Sequence, residues 1–342
     1  MEKKSKNPLK SILTIVISLA FAGFFLWFAL KGLDFKVIQK SLAKANYWWV
    51  LFAACFGIAA YWFRAIRWNL MLEPMGHHIS NSNSLWSISF GYLMNLTIPR
   101  SGEVARATAL YGVERIPVDQ SFGTIILERV VDLVCMLCFL GLTLIFKGDV
   151  ISSVYESSGA DFNPNKIFFI IGILLLGAVL FFMFKKRLAS VPVLDKIIKF
   201  IDGILDGLTS VFKLKQKGKF ILYTLGIWVS YYFAAYLVCF ALPETSDFTF
   251  DDGFLILVVG TFGMIIPASG GIGAFNLAMK YGFMALFISM GKSGELGGEV
   301  GLTYSFISLP LQICIMLVMG LISIPMLAKA RNNIVAEKEF TE

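Results

Sequence analysis

Histidine is nearly absent from this chain: only His77 and His78 occur in 342 residues, adjacent in a polar stretch. That leaves no basis for a zinc site or for histidine acid–base catalysis. Charge is also scarce, at 15% Asp, Glu, Lys and Arg where soluble domains hold about 25%. With 57% of residues apolar and 32 phenylalanines, too little polar surface remains to cover a body in water. All five cysteines (Cys55, Cys135, Cys138, Cys239, Cys314) fall in apolar runs, where a thiol behaves as a small hydrophobe, so no disulfide framework is implied. Cys135-x-x-Cys138 has no further cysteine nearby to complete a metal set. There is no Gly-x-x-x-x-Gly-Lys nucleotide loop. The expectation is an all-α polytopic membrane protein with no cofactor, no metal and no nucleic-acid partner. Its excess charge of +7 then bears on loop orientation.

Six long apolar stretches read as full spans: Ile12 to Leu30, Tyr47 to Trp62, Phe122 to Phe146, Ile167 to Phe184, Phe220 to Leu242 and Leu302 to Leu327. Each approaches or exceeds the roughly 20 residues that cross about 30 Å of hydrocarbon. The first follows four lysines and continues through Phe24 to Phe28 past a mimic of a signal-peptidase site, so it reads as a retained span. Two further stretches, Leu85 to Tyr111 and Phe254 to Met290, are broken at Ile98-Pro99-Arg100-Ser101-Gly102 and Ile266-Pro267-Ala268-Ser269-Gly270-Gly271. Such breaks free backbone groups that lipid cannot satisfy, so they are expected as re-entrant helical hairpins lining protein or a wet cavity.

Lys185 to Lys219 holds nine Lys/Arg against three Asp, whereas Pro243 to Gly253 carries Glu244, Asp247, Asp251 and Asp252 and no base. The positive-inside rule makes the first a cytoplasmic basic amphipathic connector and the second external, with both termini cytoplasmic in a cell inner membrane. Lys31, Lys36, Lys40 and Lys44 fall on the wrong side, in a stretch that suits an interfacial helix. Each half, about 1–150 and 165–330, reads span, span, broken hairpin, span. The motif Ile98-Pro99-Arg100-Ser101-Gly102 followed by Leu110-Tyr111-Gly112 recurs as Ile266-Pro267-Ala268-Ser269-Gly270 followed by Lys280-Tyr281-Gly282. An inverted repeat is expected, and Gly/Pro-interrupted segments at matching places in two such halves point to a transport site between them.

Ser101 is placed to cap a half-helix starting near Gly102, and with Arg100 beside it that helix N-terminus would hold an anion. Glu103 and Arg106 could instead neutralise one another at i and i+3. Ser269 could cap the second half-helix, with Gly270, Gly271 and Gly273 admitting a ligand or a close neighbouring helix and Asn276 just beyond. Gln120, Thr124, Glu128 and Asp132 are each four residues apart and share one helix face, with Arg129 beside them. Ionisable groups at that depth face a bundle interior, serving either a coupled-ion or headgroup site or an internal salt-bridge network. Arg64, Arg67 and Trp68 close the second span and read as headgroup-level anchors.

These residues carry a resemblance. Arg64-x-x-Arg67-Trp68, Asn95-x-x-Ile98-Pro99-Arg100-x-Gly102-Glu103-x-x-Arg106, Glu128-Arg129-x-x-Asp132 and Pro267-x-x-Gly270-Gly271-Ile272-Gly273 together resemble the flippase-like integral membrane family named after the transmembrane region of lysylphosphatidylglycerol synthase. The resemblance implies a lipid-handling membrane domain without the soluble aminoacyl-transferase domain of full-length synthases. Ser269 and Asn276 stand where that family usually carries proline and an acid. The implied partner is an anionic phospholipid or lipid-linked group, with a homo-oligomer or a soluble transferase as further partners. A membrane enzyme acting on a polyprenyl-phosphate or phospholipid, with Glu128 or Asp132 as base, is the alternative of another class.

Overall fold

The computed structural model describes residues 39, 42–98, 101–150, 214–266 and 271–339, the last six as backbone. Among them every regular element is helical: α1 (Tyr47–Leu72), α2 (Asn81–Thr97), α3 (Gly102–Glu114), α4 (Val118–Phe146), α5 (Lys217–Cys239), α6 (Asp252–Ile265), α7 (Ala274–Ser289) and α8 (Gly294–Glu339). Tyr47–Met75, Val118–Phe146, Lys217–Cys239 and Gly294–Asn333 are long and apolar enough to cross a membrane, while Asp252–Ile265 and Ala274–Ser289 are shorter apolar helices. The expected spans Ile12 to Leu30 and Ile167 to Phe184, and nearly all of the basic connector, lie outside the described residues.

Local chemistry sets the boundaries. Asn46 starts α1 by accepting the Trp48 N–H on its side chain, and Ser80 does the same for α2 through Ser82. Pro117 precedes α4, where its missing N–H costs nothing. Helix α1 continues to Leu72, ten residues beyond the apolar run, before Gly76 turns the chain at φ 86°. That extension carries Arg64, Arg67 and Trp68.

Both broken segments fold as antiparallel helix pairs, α2 with α3 and α6 with α7. Glycine brings the first pair together: a Cβ on Gly91 would stand 2.7 Å from the Gly102 carbonyl oxygen. In the second pair a Cβ on Gly263 would stand 2.9 Å from the Phe275 backbone. The base of the first hairpin is tied by Glu114, which accepts from the Ser80 backbone and from Asn83 at 2.8 Å, and beside it His77 meets Gln120 at the start of α4. The base of the second is tied to the far end of α4, where Lys147 pairs with Asp251 and Asp252 at 2.8 and 2.6 Å. Helix α4 has 29 residues, or about 43 Å at 1.5 Å each, so the hairpins open toward opposite ends of the bundle. Around them α1 packs on α5, α2 on α8, α6 on α4 and α7 on α8.

Candidate functional site

Two helix faces meet at the centre of the first four helices. On α1, Arg64, Arg67 and Trp68 share a face by their three- and four-residue spacing. On α4 the facing stripe is Gln120, Thr124, Glu128 and Asp132. Arg64 donates to the Glu128 carboxylate at 2.7 Å and to Asp132 at 3.1 Å. Arg67 reaches Asp132 at 2.9 Å, and Trp68 donates its indole N–H to Thr124 at 2.8 Å. From α3, Arg106 grips both Glu128 oxygens at 3.3 and 2.7 Å and lies over the Trp68 ring at 4.2 Å. Helix α5 closes the cluster, with Arg64 donating to the Tyr231 hydroxyl at 2.8 Å.

Burial makes this arrangement costly. Glu128 and Arg67 are fully buried, Arg64 is 3% exposed and Arg106 4%. Ions taken out of water are tolerated only with near-complete pairing, and replacement by apolar residues is often neutral or stabilising, so such a network is weak evidence for a stability role. The pairing here is incomplete. Three guanidinium groups face two carboxylates, and the Nε atoms of Arg64, Arg67 and Arg106 have no hydrogen-bond partner. At the rim, Arg129 pairs with Glu103 at 2.8 Å, both side chains more than a third exposed.

The cluster forms one end of a cavity of about 490 Å³ between α1, α2, α4, α5, α6, α7 and α8. Its charged end carries Arg64, Arg129 and Asp132 with Tyr61, Tyr92 and Tyr231, and its walls include Leu133, Met136, Leu257, Ile265 and Ile315. The volume falls in the range of small-ligand sites, about 300–1,000 Å³. A polar notch opening onto apolar walls is the shape of an amphiphile.

Several expectations change. Arg64, Arg67 and Trp68 are not headgroup-level anchors: the extension of α1 carries them inside, against α4. Ser101 sits at the start of α3 but makes no cap bond, its hydroxyl donating to the Met94 and Ile98 carbonyls. The cap comes from Asn95 across the hairpin, whose side-chain oxygen accepts the Gly102 N–H at 2.7 Å. Glu103 and Arg106 do not neutralise each other, since each pairs with a residue of α4. Helix α7 starts at Ala274 and is capped by Asn276, which accepts the Gly273 N–H at 2.9 Å and donates to Ser305 at 2.7 Å. Gly271 and Gly273 have φ of 75° and 84°, a left-handed turn that glycine adopts without strain. Arg100, Ser269 and Gly270 lie outside the described residues. The α4 stripe does share one face, directed at α1. Sequence reasoning passed over Tyr61, Tyr92 and Tyr231; their signal is a phenolic hydroxyl set within apolar helices, where it needs a partner.

Comparison with known proteins finds UPF0104 membrane protein MJ1595 of Methanocaldococcus jannaschii, 27% identical over 191 residues. That match covers 55% of this chain and 54% of the relative, so the chain spans about half the length of the curated relative it matches. No solved structure matches. Residues 15–323 match the family described as lysylphosphatidylglycerol synthase TM region. With that match running over most of its length, the chain belongs to the lysylphosphatidylglycerol synthase TM region family.

Proposed function

We propose that this protein is a flippase-like lipid transporter, moving an anionic or modified phospholipid or a lipid-linked headgroup between the leaflets of a prokaryotic inner membrane. The observation that carries the reading is the cavity with arginines at one end and apolar walls along the rest. A headgroup crossing bare hydrocarbon loses its hydration without compensation. In the cavity Arg64 and Arg129 replace that water while acyl chains stay against apolar side chains.

The route is proposed to alternate between two hairpins that are re-entrant from opposite faces. Support comes from their opening toward opposite ends of α4 and from the matched order long, short, short, long in α1–α4 and α5–α8. Rocking of inverted halves about a fixed midplane site is how such architectures give alternating access. Both termini are proposed to be cytoplasmic. The end bearing Arg115, Lys217, Lys219, Lys329 and Arg331 is basic and the end bearing Glu244, Asp247 and Asp251 acidic, as the positive-inside rule requires.

The test is reconstitution into proteoliposomes with headgroup-labelled phosphatidylglycerol, following loss of the label to a membrane-impermeant reductant. Native protein is expected to expose inner-leaflet label faster than empty vesicles. Arg129→Gln, at a half-exposed position that contributes little to stability, is expected to slow it about tenfold. A native rate equal to that of empty vesicles would remove the reading for that lipid.

A further inference from the structure

The carboxylates of the cluster are not equivalent, and the difference assigns a role to Asp132. Glu128 is fully buried and held by Arg64 and Arg106 at 2.7 Å each, with Arg67 at 3.8 Å. It closes the cluster from behind and does not line the cavity. Asp132 lies one turn further along α4, is 15% exposed at its side chain, and lines the cavity. It occupies Arg64 at 3.1 Å and Arg67 at 2.9 Å and stands 3.9 Å from Arg129. Also on the cavity wall, the Tyr61 hydroxyl is buried without a hydrogen-bond partner, its ring tilted against that of Tyr92 with centroids 4.9 Å apart. The described cluster has one more guanidinium than carboxylate, so it is short of one anion.

We infer that the charged end of the cavity is a phosphate subsite formed by Arg64, Arg129 and the Tyr61 hydroxyl, in which Asp132 is the resident anion that an arriving phosphodiester displaces from Arg64. This rests on the transporter reading and adds a release mechanism to it. A carboxylate and a phosphate oxygen compete for the same fork of N–H donors. The buried Glu128 keeps the arginines in place during the exchange, and the return of Asp132 expels the phosphate. Two cations with no internal competitor would bind an anionic headgroup tightly and release it slowly, which defeats transport.

The experiment measures binding of fluorescent phosphatidylglycerol to the purified full-length protein in neutral detergent. Diacylglycerol and inorganic phosphate serve as separate competitors, and thermal unfolding of each variant is recorded in parallel. Asp132→Asn is expected to bind phosphatidylglycerol about tenfold more tightly than native protein, with diacylglycerol competing equally weakly against both. In proteoliposomes it is expected to lower both the half-saturating lipid concentration and the maximal rate. Tyr61→Phe, which touches no ion pair, is expected to weaken phosphatidylglycerol binding several-fold with unchanged unfolding. Asp132→Glu is expected to restore near-native binding.

Unchanged or weaker binding by a folded Asp132→Asn overturns the displacement mechanism, even where transport by the native protein is observed. If Asp132→Asn does not fold, Tyr61→Phe decides: unchanged binding there overturns the subsite. Inorganic phosphate that competes fully, and tighter in Asp132→Asn, upholds the subsite and the role of Asp132 while assigning the site to free phosphate, against the transporter reading.

Discussion

The two hairpins share one plan and are held by opposite chemistry. In the first, α3 is fastened to α4 by ions: Arg106 on Glu128, and Glu103 on Arg129. In the second, α7 is fastened to α8 by close approach. A Cβ on Gly301 would meet the Met279 carbonyl oxygen and stand 2.7 Å from the Phe283 Cβ, and one on Gly297 would stand 2.8 Å from the Phe283 carbonyl oxygen. Around that contact Phe275, Met279, Phe283, Phe287 and Tyr304 form a buried apolar core. A neutral bond from Asn276 to the Ser305 hydroxyl, at 2.7 Å, joins α7 to α8 there. Small residues that let backbones approach are the ordinary means of holding helices together in lipid. Buried ions are not, since they cost desolvation and are retained where something other than stability requires them. The second hairpin therefore shows how this architecture is packed by close approach, and the buried ions of the first are what the proposed site draws on.

The sharpest way to break this contrast is to remove the hub of the ionic half. Glu128→Gln leaves Arg64, Arg67 and Arg106 buried around the single charge of Asp132. Uncompensated burial of this kind costs about 3–5 kcal/mol. The variant is expected to unfold far below the native protein in detergent, with the loss insensitive to salt because the cluster is shielded from it. Unfolding within a degree or two of native would mean that the ions do not hold α3, and the contrast would fail.

The packed half should respond to volume rather than charge. Gly301→Ala places a methyl against backbone that cannot step aside, an overpacking cost of about 1–3 kcal/mol offset by about 1 kcal/mol of helix propensity. A net loss is expected, with phosphatidylglycerol binding to the arginine end unchanged. Parallel loss of binding would show that the α7–α8 contact, and not only the α6 wall, shapes the arginine end.

How much of this contrast is legible in the amino-acid order depends on the range of each interaction. The ends of α2 at Thr97 and α6 at Ile265, the two-helix form of each segment and the common face of Gln120, Thr124, Glu128 and Asp132 follow from local rules of period and punctuation. The interior position of Arg64 and Arg67 does not, because basic residues and a tryptophan after an apolar run look the same whether the helix ends there or continues. What decides it is that α1 persists to Leu72 and that the α4 acids stand opposite, 64 residues away for Arg64 and Glu128. The caps fail for a related reason. Asn95 caps α3 from seven residues upstream across the turn, where a capping rule looks only at the adjacent Ser101.

Asn276 tests the cap of α7 and its neutral bond to Ser305 together. Asn276→Ala strands the Gly273 N–H and removes the donor to the Ser305 hydroxyl, which keeps its bond to the Leu302 carbonyl, an effect of about 1 kcal/mol. It is expected to be smaller than that of Gly301→Ala, and a larger effect would mean that hydrogen bonding rather than packing holds α7 to α8.

The smallest effect belongs to the acidic end, where charge returns but at the surface. Lys292 donates to Asp247 at 2.6 Å, with the two side chains 37% and 58% exposed. This hydrogen bond, opposed by slight burial, holds the Asp247 carboxyl below its ordinary value. A carboxyl lowered in the folded state contributes stability above its unfolded pKa, near 3.9, and loses that contribution as pH falls through its folded value. Lys292→Ala is therefore expected to change unfolding at neutral pH by no more than about 0.5 kcal/mol, because exposed pairs are screened by water and salt. The difference from native should vanish once pH has fallen through the lowered Asp247 value and should shrink in high salt. The Glu128→Gln deficit measured at neutral pH should not shrink with salt at all. The same pairing of cation and carboxylate would then differ between the two regions in both size and salt response, and burial would be the variable that separates them.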